Sequence, residues 1–182
     1  MSKEATEIFH TVIGKLLFVA NNSRPDLSVA VSQLASFVSK PTVGHEKAMK
    51  RVLRYVKGTL DYGVILGGEG TVPLLVGYAD ADWGGDLDTR KSRTGYLFFI
   101  NSGCITWNTK KQPTVALSTS EAEYMSLSAA TAEVKWLVQL LSELGFEQNA
   151  ITINQDNQGC IQMARTRKTS KDETHRDETQ IY

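Results

Sequence analysis

Leu74-Leu75-Val76-Gly77-Tyr78-Ala79-Asp80 runs as an apolar strand and stops on an aspartate. Ile151-Thr152-Ile153-Asn154-Gln155-Asp156 repeats that pattern further along. Between them, Ser118-Thr119-Ser120-Glu121-Ala122-Glu123-Tyr124 reads as a helix start that carries acids. A charge at a buried strand end is costly unless it is paired or binds a metal. Three carboxylates brought together repel one another, and a divalent cation is the usual remedy. The pattern points to the core of a metal-dependent enzyme.

Around these segments the chain changes grammar once. Residues 7–58 carry helical periodicity. Ile8, Val12, Ile13, Leu16, Leu17 and Ala20 recur on one side, and Asn21-Asn22-Ser23 breaks the run. Arg24-Pro25-Asp26 restarts it, with proline suited to a first helical position. Leu27, Val31, Leu34 and Val38 form the next apolar face. A third helix sets Met49, Val52, Leu53 and Val56 against Lys47, Lys50, Arg51, Arg54 and Lys57. Tyr62–Leu66 reads as a short strand, and Gly67-Gly68-Glu69-Gly70 as a linker. The domains expected are 1–68, helical; 69–165, α/β; and 166–182, a polar tail with little to order it.

Past the linker, a strand at 73–80 is followed by Thr94–Ile100 and, across an Asn101-Ser102-Gly103 turn, by Cys104–Asn108. This predicts a three-strand antiparallel meander. Helices are expected at 119–130 and 132–144, then a strand at 151–156 and a helix at 157–165. The order βββααβα implies a mixed sheet with helices packed on it.

Lys+Arg and Asp+Glu balance at 20 each, so no overall field draws a polyanion. A nucleic-acid partner would be held by local basic patches or through metal. Cys104 and Cys160 lack metal-ligand spacing and read as buried reduced thiols. No apolar run approaches the length of a membrane span, and the start is too polar for a signal peptide, so no membrane partner is expected.

Glu121 follows Ser118 by three positions, as the acid of a capping box does. Glu123 instead shares a helix face with Leu127 and Ala130, the side that should press on the sheet. Asp80 and Asp156 end strands, and ligands gather at that carboxyl edge. Each aspartate alone is equally readable as a cap for the segment after it. Asp82 would flank the site if its strand continued, and Asp86 and Asp88 read as loop acids.

Five blocks now stand in order. They are Val76-Gly77-Tyr78-Ala79-Asp80-Ala81-Asp82-Trp83-Gly84-Gly85-Asp86, Arg90-Lys91-Ser92-Arg93-Thr94-Gly95-Tyr96, Trp107-Asn108-Thr109-Lys110-Lys111-Gln112, Ser118-Thr119-Ser120-Glu121-Ala122-Glu123-Tyr124 and Asp156-Asn157-Gln158. Residues 73 to 165, which hold them, closely resemble the ribonuclease H domain of copia-type LTR retrotransposon Pol polyproteins. Ile13-Gly14-Lys15-Leu16-Leu17, Arg24-Pro25-Asp26 and Arg54-Tyr55-Val56-Lys57-Gly58-Thr59 resemble the thumb and connection helices that end the reverse transcriptase. The chain resembles an internal slice of such a polyprotein.

The resemblance implies an α/β, ribonuclease H-like mixed sheet, the meander plus a parallel strand, with flanking helices. It implies cleavage of the RNA strand of RNA–DNA hybrids with two Mg²⁺, Mn²⁺ being a substitute, and no small-molecule cofactor. Asp80, Glu123 and Asp156 match the first three of four metal-binding acids. His175-Arg176-Asp177 matches a segment that precedes the fourth, so the last strand, the last helix and that acid are expected past Tyr182. Asp177 is the alternative fourth acid. Arg93, Lys110 and Lys111 are candidates for backbone phosphates, and the helix face with Lys50, Arg54 and Lys57 for the duplex leading from the polymerase. The expected partners are the hybrid and the reverse transcriptase portion of the same polyprotein, in cytoplasmic retrotransposon particles. Two alternatives are an inactive remnant that still binds nucleic acid or polymerase, and an integrase-like strand transferase. The second fits poorly with a meander followed by Ser-Glu-Ala-Glu.

Overall fold

A computed structural model describes residues 1–67, 74–168 and 179–181. The chain divides into two compact units, Met1–Ile65 and Leu66–Tyr182.

In the first unit, α1 (Lys3–Asn22), a 3₁₀ turn at Pro25–Leu27, α2 (Ser28–Ala35) and α3 (Val43–Gly58) follow one another. They enclose Phe9, Ile13, Leu16, Ala20, Leu27, Val31, Leu34 and Met49. Ile8, expected on the buried face, is 54% exposed, and Phe9 is buried in its place. Positions 9, 13, 16 and 20 stay on one side of a 3.6-residue repeat, and Ile8 lies off that stripe. The Arg24 side chain is almost fully buried and pairs with Asp26 at 2.8 Å. It also donates to the Thr59 carbonyl at 2.8 Å and to Thr59 Oγ1 at 2.7 Å. Tyr55 donates its hydroxyl to the same aspartate. Arg24-Pro25-Asp26 thereby locks the turn after α1 to the C-terminal end of α3. The strand expected at 62–66 does not form. Ile65 and Leu66 are largely exposed, and apolar β-formers make a strand only where a neighbour pairs with their backbone.

The second unit holds β1 (Leu75–Asp82), β2 (Arg93–Ile100), β3 (Gly103–Lys111), α4 (Thr119–Glu143), β4 (Ile151–Asn154), α5 (Gln158–Lys168) and β5 (Thr179–Ile181). The sheet order is β3-β2-β1-β4-β5. β1–β2 and β2–β3 are antiparallel, whereas β4 runs parallel to both β1 and β5. The hairpin between β2 and β3 turns at Asn101, whose φ of 54° is a conformation asparagine tolerates better than most residues. This is the expected ribonuclease H-like architecture, a mixed sheet with flanking helices.

Two expectations change. The helices foreseen at 119–130 and 132–144 are one continuous α4. No glycine or proline interrupts Thr119–Glu143, and the Ala129-Ala130-Thr131-Ala132 stretch carries the helix through. The last strand, foreseen past the chain, is present as β5, with Ile151, Thr152 and Ile153 abreast of Thr179, Gln180 and Ile181. It falls in the segment 166–182 read as a polar tail. The rest of that tail beyond α5, including His175 and Asp177, lies outside the described residues. No helix follows α5 among the described residues.

The core lies between the sheet and α4. Leu75, Ala79, Phe98, Ile151 and Ile153 from the strands meet Leu127, Ala130, Val134, Leu137 and Leu141 from the helix, with Cys160 from α5. Both cysteines are free thiols, and burial pushes that of Cys160 up to about 11. Gly77 pairs with Phe98 across β1 and β2, and the fully buried Phe98 ring fills the place a Cβ at Gly77 would take. Gly77→Ala is expected to cost about 1–3 kcal/mol, because the ring must shift inside a packed core. Urea unfolding measures this, and an unchanged midpoint would refute the packing argument.

Candidate metal centre

The parallel register of β1 and β4 sets Val76 beside Thr152, Gly77 beside Ile153 and Tyr78 beside Asn154. Continued by two residues, the same register brings Asp80 abreast of Asp156. α4 supplies the third acid. One ligand oxygen from each of Asp80, Glu123 and Asp156 lies within 4.8 Å of the other two. Asp80 and Asp156 are exposed, whereas Glu123 is 7% exposed. All three sequence-predicted ligands therefore converge, although Asp80 lies within β1 rather than at its end, Asp156 lies two residues past β4, and Glu123 sits on the buried stripe of a helix.

α4 is held at both levels that matter. Its start is capped: Ser118 Oγ accepts from the Glu121 N–H at 3.1 Å, and the Glu121 carboxylate accepts from the Leu117 N–H at 2.6 Å. Glu121 is thus structural, as its spacing indicated. Near Glu123 along the helix, the buried Ser126 hydroxyl lies 2.6 Å from the Asp80 carbonyl and 2.9 Å from the Gly95 carbonyl. That hydroxyl ties α4 to the backbone of the very residue that carries the first acid.

Burial pushes the Glu123 carboxyl above its ordinary value of 4.5. Hydrogen bonds from Gln155 and the Ala81 backbone oppose that push, and the Asp80 and Asp156 charges reinforce it. Burial is the larger cause, and the neighbouring carboxylates add to it.

In the sequence Gln155 reads only as part of a strand, yet here its side chain bonds three partners. Its Nε2 donates to the Ala79 carbonyl at 3.2 Å and to Glu123 Oε2 at 3.1 Å. Its Oε1 accepts from the Asn157 N–H at 3.0 Å. Asn157 Oδ1 in turn accepts from Ser120 Oγ at 3.0 Å and from the Cys160 N–H at 2.9 Å, capping α5 and joining it to α4. The only sequence-level signal for Gln155 is a long polar side chain where a strand is about to end, which is too common to stand out.

The other acids serve elsewhere. β1 does continue to Asp82, whose carboxylate packs over Gly85. Asp86 forms an ion pair with Lys111 and accepts from the Thr89 N–H and hydroxyl. Lys111, with Thr89, holds the Asp86 carboxyl well below the usual carboxylate range. Arg93 is buried, which pushes its guanidinium down against the pull of Asp86 and Asp82. Of the three phosphate candidates, Lys110 is the one whose residue is exposed, while Lys111 is already engaged and Arg93 faces inward. In the first unit Arg54 and Lys57 are exposed, and Lys50 pairs with Glu46 at 2.6 Å.

No protein-family model matches the chain. It is 50% identical over 127 residues to secreted RxLR effector protein 161 of Plasmopara viticola, covering 70% of this chain and 89% of that protein. It is 40% identical over 157 residues to the retrovirus-related Pol polyprotein from transposon TNT 1-94 of Nicotiana tabacum, covering 86% of this chain and 12% of that one. A third relative, the retrovirus-related Pol polyprotein from transposon RE2 of Arabidopsis thaliana, is 42% identical over 139 residues, 76% of this chain and 9% of its own length. The chain thus spans most of the first relative and a small part of each polyprotein. Among the described residues no helix is long and apolar enough to cross a membrane.

The raised Glu123 carboxyl has a measurable sign. The folded state holds this proton more tightly than the unfolded state, so Glu123 costs stability as pH rises from the ordinary glutamate range through its folded value. Without divalent metal, thermal unfolding of the wild type should therefore fall over that window relative to Glu123→Gln. Parallel pH profiles of the two proteins would contradict the burial of this carboxyl.

Proposed function

We propose, from its likeness to retrotransposon Pol polyproteins, that this chain is a piece of such a polyprotein and that its second unit is a ribonuclease H-type endonuclease that cuts the RNA strand of RNA–DNA hybrids. One observation carries this reading: carboxylates from β1, from the segment just after the parallel β4 and from α4 converge within 4.8 Å. The donors are all carboxylate oxygens, with no histidine or cysteine among them. Such a hard, anionic set suits Mg²⁺ or Mn²⁺ rather than a thiolate-seeking metal. Asp80, Glu123 and Asp156 would hold the cation.

The bound metal would supply Lewis acidity, making a water nucleophilic near neutral pH and offsetting charge on the phosphate. The reaction is hydrolysis. Water adds to phosphorus, the bond to the 3′ oxygen breaks, and a 3′-hydroxyl and a 5′-phosphate result. The chain's own residues provide placement. The exposed Asp80 and Asp156 face the solvent from which substrate arrives, and the buried Glu123 anchors the inner side. The choice of RNA rests on 2′-hydroxyl contacts across a shallow minor groove. Lys110 is the candidate for a backbone phosphate in this unit, and Lys50, Arg54 and Lys57 for the duplex on the first. The partner is the reverse transcriptase portion of the same polyprotein, in cytoplasmic particles.

A second reading is that the chain binds divalent metal or nucleic acid without cutting it.

One experiment separates the two. A labelled RNA–DNA hybrid is incubated with the chain and Mg²⁺, beside Asp80→Asn. The nuclease reading expects RNA-strand cleavage that falls at least about a hundredfold in the variant. Cleavage that ignores the substitution would remove Asp80 from the mechanism. Metal-dependent thermal stabilisation without cleavage would favour the non-catalytic reading.

A further inference from the structure

We propose that Gln155 is the positioning residue of the metal centre: its one amide fixes the mutual spacing of Asp80, Glu123 and Asp156 and thereby sets how tightly the site takes a divalent cation. The inference rests on the metal-centre reading above and goes beyond it, because Gln155 is not a ligand.

The argument is geometric. A primary amide has two N–H donors and one carbonyl acceptor. In Gln155 each has a partner next to a different acid. One N–H goes to the carbonyl of Ala79, the residue before Asp80. The other goes to the Glu123 carboxylate itself. The carbonyl takes the N–H of Asn157, the residue after Asp156. Gln155 as a residue is 6% exposed, so these bonds form away from competing water. The amide also has only one workable orientation. Carbonyl and carboxylate oxygens only accept, so the NH₂ must face them, and the Asn157 N–H only donates, so the oxygen must face it.

Three like charges at this range push apart. Without a brace, Glu123 would swing off the cluster and the loop bearing Asp156 would drift. A cation would then have to reorder both before it could bind. With the brace in place, that ordering is complete beforehand, which raises affinity without adding a contact to the ion.

Two variants split positioning from packing. Gln155→Met keeps the length and the buried stem but has no amide. Gln155→Asn keeps the amide but is one methylene too short to reach all three partners. Mn²⁺ binding is measured by calorimetry on the full chain, with unfolding in EDTA as a check on the fold, beside wild type and Asp80→Asn. Positioning predicts that both Gln155 variants bind Mn²⁺ about ten- to a hundredfold more weakly than wild type. If Gln155→Met fails to fold, weakened binding by folded Gln155→Asn carries the test. Wild-type affinity in either folded variant overturns the proposal while leaving the metal centre intact. Wild type binding no better than Asp80→Asn overturns the metal centre, and this inference with it.

Discussion

The parallel pairing of β1 with β4 is the constraint on which the second unit depends. It sets Asp80, within β1, level with Asp156, two residues past the end of β4, at the same side of the sheet. Left to electrostatics, those carboxylates would separate. They are kept together by the backbone ladder and by Ile151 and Ile153, which are buried beside Leu75 and Ala79. Burying side chains of this kind is worth about 1.5–3 kcal/mol each, enough to offset the repulsion of partly solvated acids. The core thus stabilises an arrangement that its own polar edge opposes. Such local conflict, paid for elsewhere in the fold, marks functional sites.

The same logic explains why α4 has to be long and unbroken. Its inner stripe runs from Ala122 to Leu141. The apolar part grips the sheet along its length, and the first turns carry Glu123 and Ser126 to the strand ends. A break near residue 131 would uncouple the grip from the site. Ser126 reports the closeness of that fit, because its hydroxyl reaches backbone carbonyls on two different strands. Gln155 and Asn157 complete the frame from the side of β4 and α5. The polar groups around the acids thus hold backbone and, through Gln155, the Glu123 carboxylate, while Asp80 and Asp156 remain exposed.

Charge is handled differently beyond the site. Asp82, Asp86, Arg93 and Lys111 lie on neighbouring strands and the loop between them, and they satisfy one another. In the first unit the single buried cation, Arg24, is matched to Asp26 and Thr59. Buried charge in both units is paired, which is the condition for keeping it there. The acidic trio, which has no cationic partner among the contacts described, departs from that rule, and the departure is what a metal-binding reading accounts for.

The strand–aspartate pattern and the helix start with Glu123 were legible because they are local: periodicity, a cap at Ser118 and an acid on an apolar face can be read within one segment. The meander followed from the strand and turn pattern, and the parallel fourth strand from the family resemblance. The strand at 62–66 and the last strand depend on whether a distant segment supplies a partner, and no local window contains that information, whereas the unbroken α4 follows from its own glycine- and proline-free run. The phosphate candidates show the same divide, since Arg93 and Lys111 look basic in sequence and are turned inward or neutralised only by residues brought near in the fold. Gln155 is the clearest case. Its role exists only where Ala79, Glu123 and Asn157 meet, so the sequence alone determined which acids would form the site, and the tertiary structure alone decided what holds them, because a hydrogen bond has a direction and a length that no linear pattern records.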